Sequence, residues 1–312
     1  MKKAGSLLSD IKISETINNK VMHNNKRRAF LKKTALSVFG TSLVLPEAMN
    51  IKKVFANDGL PSLNSKEKLK LGVATYSLRN FSRPEAISMI REIGAEYVNI
   101  KSFHLPMEYT PEELLAGCQE FKQGGLEIIG GGTISMKGDD DKSIRSCFEY
   151  ARICSMPMMV IATTPETLPR IEKYVKEYDI KVAIHNHGPE DPYFPAPKDV
   201  LGVIENMDSR VGICNDLGHT ARTGANILES ITESGSRLFD IHLKDLTDLE
   251  DNETQCSIGE GKMPVAEIFY QLALMRYQGY INLEYEIEAE NPLEGMKRSY
   301  AYMKGVVDGI KI

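Results

Sequence analysis

Along residues 66–312 of this 312-residue chain, eight apolar runs alternate with stretches of helical periodicity, and few architectures satisfy that rhythm. The runs are LKLGVATYSL, YVNIKSFH, LEIIGGGTIS, MPMMVIATT, VAIHNHG, VGICNDLGH, LFDIHLKD and YINLEYE. Helical patterns begin near Arg83, Thr110, Lys142 and Glu166, then cover residues 198–207, 226–234 and 265–278, and the C-terminal stretch supplies the last. Strand followed by helix, repeated, predicts a parallel sheet, because parallel neighbours need a crossover between them. Eight such units in roughly 250 residues predict an α/β fold, a single (β/α)8 TIM barrel with its active site at the C-terminal ends of the strands.

Four consecutive runs end in imidazoles and carboxylates where that rule asks for them. A strand repeats every two residues, so His185 shares a face with His187, His242 with Lys244, and Glu284 with Glu286; Asp216 ends the run between the first two pairs. Polar side chains inside a sheet are costly unless something satisfies them. Four such strand ends point to one shared site, and their residue types suit a divalent metal. A lone strand histidine is more often a hydrogen-bonded structural residue, so the weight lies on the joint occurrence.

The segments resemble the xylose-isomerase-like TIM barrels, which include sugar isomerases and epimerases, 3-keto-glycoside lyases and endonuclease IV. The resemblance covers residues 66–312. It implies one divalent ion held from strands five to eight, with Glu, Asp, His and Glu as the family pattern; here those positions read His185, Asp216, His242 and Glu284. The first departs from the pattern. Two imidazoles and two carboxylates suit Mn2+, Co2+, Ni2+ or Zn2+, whereas Mg2+ prefers oxygen. Reversible epimerisation in the family uses two metal-bound glutamates on opposite faces of the sugar, and His185 removes one of them. Proton abstraction beside a carbonyl remains, with isomerisation, epimerisation or elimination as its outcome.

The N-terminus bears on that choice. Lys26-Arg27-Arg28-Ala29-Phe30-Leu31-Lys32, followed by an apolar stretch over residues 35–45 and by Val54-Phe55-Ala56, resembles a twin-arginine export signal with a cleavage site. The alternative is a basic tail with a chance arginine pair. The apolar stretch is too short for a membrane span, which needs about 20 residues. Residues 1–56 are therefore read as an export signal and residues 57–65 as a linker, which implies a periplasmic enzyme. Phosphorylated sugars are mostly cytoplasmic, so an exported member would handle a free sugar, a keto sugar or a glycoside.

A net charge of -5, with basic residues concentrated in the leader, argues against a nucleic-acid partner. The chain has no Trp, leaving Tyr76, Phe103, Tyr193 and Phe194 for any stacking on a sugar. Its five cysteines include no Cys-x-x-Cys pair, so neither a zinc ribbon nor a disulfide framework is indicated, and Cys214 is expected in the core.

The candidate catalytic groups are Glu284, His187, His219 and Lys244. For His187 the alternative is support of a ligand, for His219 a helix-capping role, and for Lys244 an ion pair with Glu286 or Asp245. Tyr76, Lys101, His104 and Glu286 are candidate substrate contacts, and Glu260 in Gly259-Glu260-Gly261 is a weaker one. Residues 189–197 form a long loop, read as a wall over the sugar or as a contact within a homo-oligomer. The leading expectation is a metal-dependent lyase that takes the C2 proton of a 3-keto-glycoside, with Glu284 or a nearby His as base, and expels the aglycone. An oxidoreductase partner would have to supply the keto group. An isomerase or epimerase of unphosphorylated keto sugars is the alternative enzyme, and a metal-free sugar-binding barrel the non-enzymatic one.

Overall fold

A computed structural model describes residues 68–138 and 140–310, so the expected leader and linker lie outside the described residues. Eight parallel strands close a barrel: β1 (Lys70–Ala74), β2 (Tyr97–Ile100), β3 (Glu127–Met136), β4 (Met158–Thr163), β5 (Lys181–His185), β6 (Val211–Asp216), β7 (Leu238–Leu243) and β8 (Tyr280–Leu283). Each strand pairs with its sequence neighbours and β8 returns to β1, as the alternation predicts. The intervening helices are α1 (Arg83–Ile93), α2 (Pro111–Gln123), α3 (Asp141–Ile153), α4 (Leu168–Tyr178), α5 (Pro197–Ile204), α6 (Leu217–Arg222), α7 (Ile227–Ser234), α8 (Val265–Leu274) and α9 (Leu293–Gly309).

Local chemistry explains why the helices start where they do. At α2, Thr110 Oγ1 accepts the Glu113 N–H at 3.3 Å and the Glu113 carboxylate accepts the Thr110 N–H at 2.8 Å, with Pro111 as the first helical residue. Asp140 and Asn226 cap α3 and α7 by accepting backbone N–H groups on their side chains. Apolar faces then dock on the barrel; α8 buries Val265, Ile268, Phe269, Leu272 and Ala273, spaced for one side of a helix.

The strands are shorter at their C-terminal ends than the apolar runs suggest. Thr75–Leu78 turns into a 3-10 helix, β2 stops at Ile100, and β5, β7 and β8 end at His185, Leu243 and Leu283. His187, Lys244 and Glu286 thus lie beyond the sheet, and tertiary contacts rather than strand alternation place them. Helix α6 is an addition to the expected eight, and it begins because the Asp216 side chain accepts the His219 N–H at 2.9 Å.

A short antiparallel ribbon, Asp245–Leu246 with Gln255–Cys256, follows β7. Asp245 organises its return. One buried carboxylate accepts the N–H groups of Leu246 and Met263 on Oδ1 and of Gly259 and Gly261 on Oδ2, at 2.8 to 3.0 Å. A Cβ at Gly261 would collide with that carboxylate, which is why the turn carries glycine. Asp245→Ala should leave four backbone donors without their acceptor and cost about 3 kcal/mol or more, since hydrogen bonds to charged groups contribute roughly 1.5–3 kcal/mol each. Chemical denaturation measures that cost, and amide exchange should localise lost protection to Gly259, Gly261 and Met263. Unchanged protection there would refute this role for Asp245.

Candidate active site

The barrel interior changes character from bottom to top. Ala183 and Cys214 share faces with His185 and Asp216, and they pack with Met158 and Val160 in a small apolar cluster apart from the main core. Above it lies a polar layer: Asp240 accepts Asn282 Nδ2 at 2.7 Å and Asn99 Nδ2 at 3.3 Å, and the Cys214 thiol points to it at 3.8 Å. The four expected ligand residues form the next layer. Asp216 and His242 are register partners on adjacent strands, and Glu284 continues directly from β8.

One ligand atom from each of His185, Asp216, His242 and Glu284 lies within 4.8 Å of all the others, and all four residues are buried. His185 Nε2 stands 3.1 Å from His242 Nδ1 and 3.4 Å from Asp216 Oδ2, while His242 Nδ1 stands 3.1 Å from Glu284 Oε2. Two imidazole nitrogens and two carboxylate oxygens thus face a common centre. Buried carboxylates so arranged need positive charge beside them. The set fits a divalent ion of the imidazole-tolerant kind.

Lys244 supplies part of the positive charge. Its Nζ lies 2.8 Å from Asp216 Oδ2, 3.0 Å from Glu284 Oε2 and 2.9 Å from Glu286 Oε2. Burial works against the ammonium, but the three carboxylates outweigh it and hold Lys244 well above the usual lysine range. Burial would likewise raise Asp216 and Glu284, yet the Lys244 ammonium beside both carboxylates helps keep them well below the usual carboxylate range. Glu286 goes the other way: burial raises it, Lys244 only partly offsetting that. Burial also keeps His185 and His187 neutral, and pushes His219 down to about 4.

The remaining candidates divide. His187 packs beside His185, ring centroids 4.4 Å apart with their planes tilted by 57°, and its Nδ1 faces Asp191 at 3.4 Å. His219 stands 5.8 Å from both rings. Lys101 donates to the Thr133 carbonyl at 3.0 Å, lies 5.4 Å over the Tyr76 ring and feels the charges of Glu284 and Glu286, so both Lys101 and Tyr76 border the group. His104 is not brought there. Its Nε2 lies 3.1 Å from the Leu78 carbonyl oxygen, where it fastens the loop after β2 to that after β1 as a buried structural histidine. Phe194 is buried in the core, whereas Phe103 and Tyr193 remain exposed; Glu260 faces Arg298.

Asp240 and Arg222 escaped the sequence reading, although each carries a signal. Asp240 sits two residues before His242 on the same inward face, its Oδ2 3.7 Å from His242 Nε2. Burial lifts its carboxyl from 3.8 to about 7. Its native pKa exceeds its unfolded one, so its stabilising contribution is complete below about pH 4 and is lost as pH rises through 7. With chelator present, the wild type should therefore lose about 4 kcal/mol relative to Asp240→Asn between pH 4 and 8, at 1.36 kcal/mol per pH unit. Parallel stability profiles from urea denaturation would contradict this.

Comparison with known proteins agrees with the fold. Inosose dehydratase of Mesomycoplasma hyopneumoniae (strain 7448) is 26% identical over 159 residues, 45% of this chain and 52% of that protein. The chain thus matches about half the length of this curated relative. A structure of an uncharacterised protein from Parabacteroides distasonis superposes with a TM-score of 0.60 at 25% identity, covering 76% of this chain and 98% of the other. The 3-keto-D-glucoside 4-epimerase of E. coli superposes at 0.64 and 19% identity, over 76% and 100% of the two chains. Residues 87–306 match the family model of the xylose isomerase-like TIM barrels, and the chain belongs to that family.

Proposed function

We propose that the protein is a divalent-metal-dependent lyase that eliminates the aglycone from 3-keto-glycosides. The observation that carries the reading is the asymmetry of the carboxylates: a histidine, His185, stands on β5, while Glu284 and Glu286 both come from the end of β8. Bases gathered on one side suit removal of a proton without its return to the opposite face. Mn2+, Co2+, Ni2+ or Zn2+ would be held by His185, Asp216, His242 and Glu284, and when bound it supplies Lewis-acid polarisation of a keto oxygen. Glu286, outside that set and with a raised pKa, takes the C2 proton. The C1–O bond breaks as C1=C2 forms, and the proton returns from Glu286 to the leaving oxygen. Lys244 orients Glu286 throughout, and Lys101 and Tyr76 border the sugar.

The test is aglycone release from a chromogenic 3-keto-glucoside by full-length, Mn2+-loaded protein, with the parent glucoside and free ketoses as controls. Release from the keto-glycoside alone, slowed by deuterium at C2, supports elimination. Interconversion of free keto sugars without release would instead assign an epimerase or isomerase, a reading favoured by the fold shared with the 3-keto-D-glucoside 4-epimerase. We also propose export to the periplasm by a twin-arginine route, supported by Arg27-Arg28 and the short apolar stretch after it. Replacing both arginines with lysine should retain the protein in the cytoplasmic fraction; unchanged periplasmic recovery would exclude that route. Among the described residues no helix is long and apolar enough to cross a membrane.

A further inference from the structure

Arg222 lies one helical turn beyond His219 on α6, and its Nη2 is 2.6 Å from His219 Nδ1. A guanidinium can only donate, so Nδ1 must be the acceptor, and the ring must be neutral with its proton on Nε2. We propose that Arg222 is a positioning residue that holds His219 in the Nε2–H tautomer, making His219 a hydrogen-bond donor to the site and neither a base nor a metal ligand.

The arginine is itself firmly aimed. Its side chain is only 5% exposed; Nη1 meets the Glu190 carboxylate at 2.5 Å and Nη2 approaches the His187 carbonyl at 3.4 Å. Gly188, with φ +79°, lets it pass, since a Cβ there would lie 2.7 Å from Nη2. The loop after β5 therefore fixes Arg222, and Arg222 fixes the ring. The freed Nε2–H stands on the side of Asp216, 3.8 Å from Oδ2, beside the ligand group. Both nitrogens of His219 are thereby assigned: Nδ1 is occupied by Arg222, and Nε2 carries a proton. Such a ring can stabilise negative charge developing on a substrate oxygen but cannot accept the C2 proton. This last step rests on the eliminating reading above, whereas the tautomer does not.

The experiment is 15N NMR of histidine-labelled full-length protein, with and without Zn2+, His219 being assigned by loss of its signals in His219→Gln. The wild type is expected to show a protonated Nε2 and an unprotonated Nδ1 for His219. Arg222→Met should shift the ring towards the Nδ1–H form or a mixture, and Arg222→Lys, which keeps a donor, should restore the wild-type pattern. The same Met variant should lose about tenfold or more in kcat while its Zn2+ affinity by calorimetry is unchanged. A wild-type His219 protonated on Nδ1, or an Arg222→Met ring that remains wholly Nε2–H, overturns the proposal, and the first of these needs no variant to fold. A tautomer shift without change in kcat would leave the lock standing and overturn the donor role. Inactivity of the wild type on keto-glycosides would count against the proposed reaction and leave the NMR result intact.

Discussion

Asp216→Asn should reduce divalent-metal affinity by at least about 100-fold and bring activity close to background. Loss of an outer partner of a metal ligand already costs roughly 10–100-fold in affinity or activity, so loss of a direct ligand should reach or exceed the upper end. The substitution replaces one carboxylate oxygen with an amide nitrogen. If that nitrogen takes the Oδ2 position, its N–H groups face the Lys244 ammonium at 2.8 Å, which cannot accept them. The remaining oxygen can still accept the His219 N–H, so the start of α6 survives. Asp216→Ala lacks that oxygen and should lose about 1 kcal/mol more stability through the missing cap. Isothermal titration with Mn2+ and metal analysis of the purified variants separate the two effects. An Asn variant that binds metal like the wild type would remove Asp216 from the ligand set, and with it the case for a four-residue centre.

The strand–helix alternation was enough to read the barrel, because a parallel sheet leaves a coarse imprint: an apolar run, then a helical period, eight times over. The candidate ligand group was legible for a related reason. His185, Asp216, His242 and Glu284 are polar residues interrupting apolar runs at equivalent strand ends, and the structure brings them within 4.8 Å of one another. Legibility fell off where the chain leaves the sheet. His104 looked like a strand-end residue, but β2 stops at Ile100, and the turn that follows points its imidazole to a backbone carbonyl. The sequence offers Asp245 as a partner for Lys244, yet its carboxylate gathers four amides of a returning loop, a pattern spread over residues 246–263 that no local spacing announces. Arg222 acts across two loops as well as along its own helix. Its i−3 relation to His219 is visible in the sequence, but the contacts to Glu190 and the His187 carbonyl that aim it depend on how residues 187–190 fold.

Lys244 connects the energetics of the site with its chemistry, and its removal should affect the metal-free and metal-bound protein differently. Without a metal, the ammonium is the nearest positive charge to Asp216, Glu284 and Glu286 together, and its side chain is only 5% exposed. Removing one member of a buried ionic group costs about 3–5 kcal/mol, because the opposite charges stay buried without compensation. Lys244→Met, which keeps most of the side chain and discards the charge, should lose about that much stability in chelator. Saturating Mn2+ should recover much of the loss, since an ion bound only by the folded state contributes about 2.7 kcal/mol at 100 times its dissociation constant. The variant should also bind the ion more tightly than the wild type, as the ammonium no longer occupies two of the four ligand residues or repels the incoming charge. Catalysis should nevertheless fall, because Glu286 loses the group that orients it. Urea denaturation with and without Mn2+, paired with metal titration, tests the whole pattern. Equal destabilisation in both conditions would mean that Lys244 and the ion do not share the same carboxylates, and the ligand set would then have to be sought without Asp216 and Glu284.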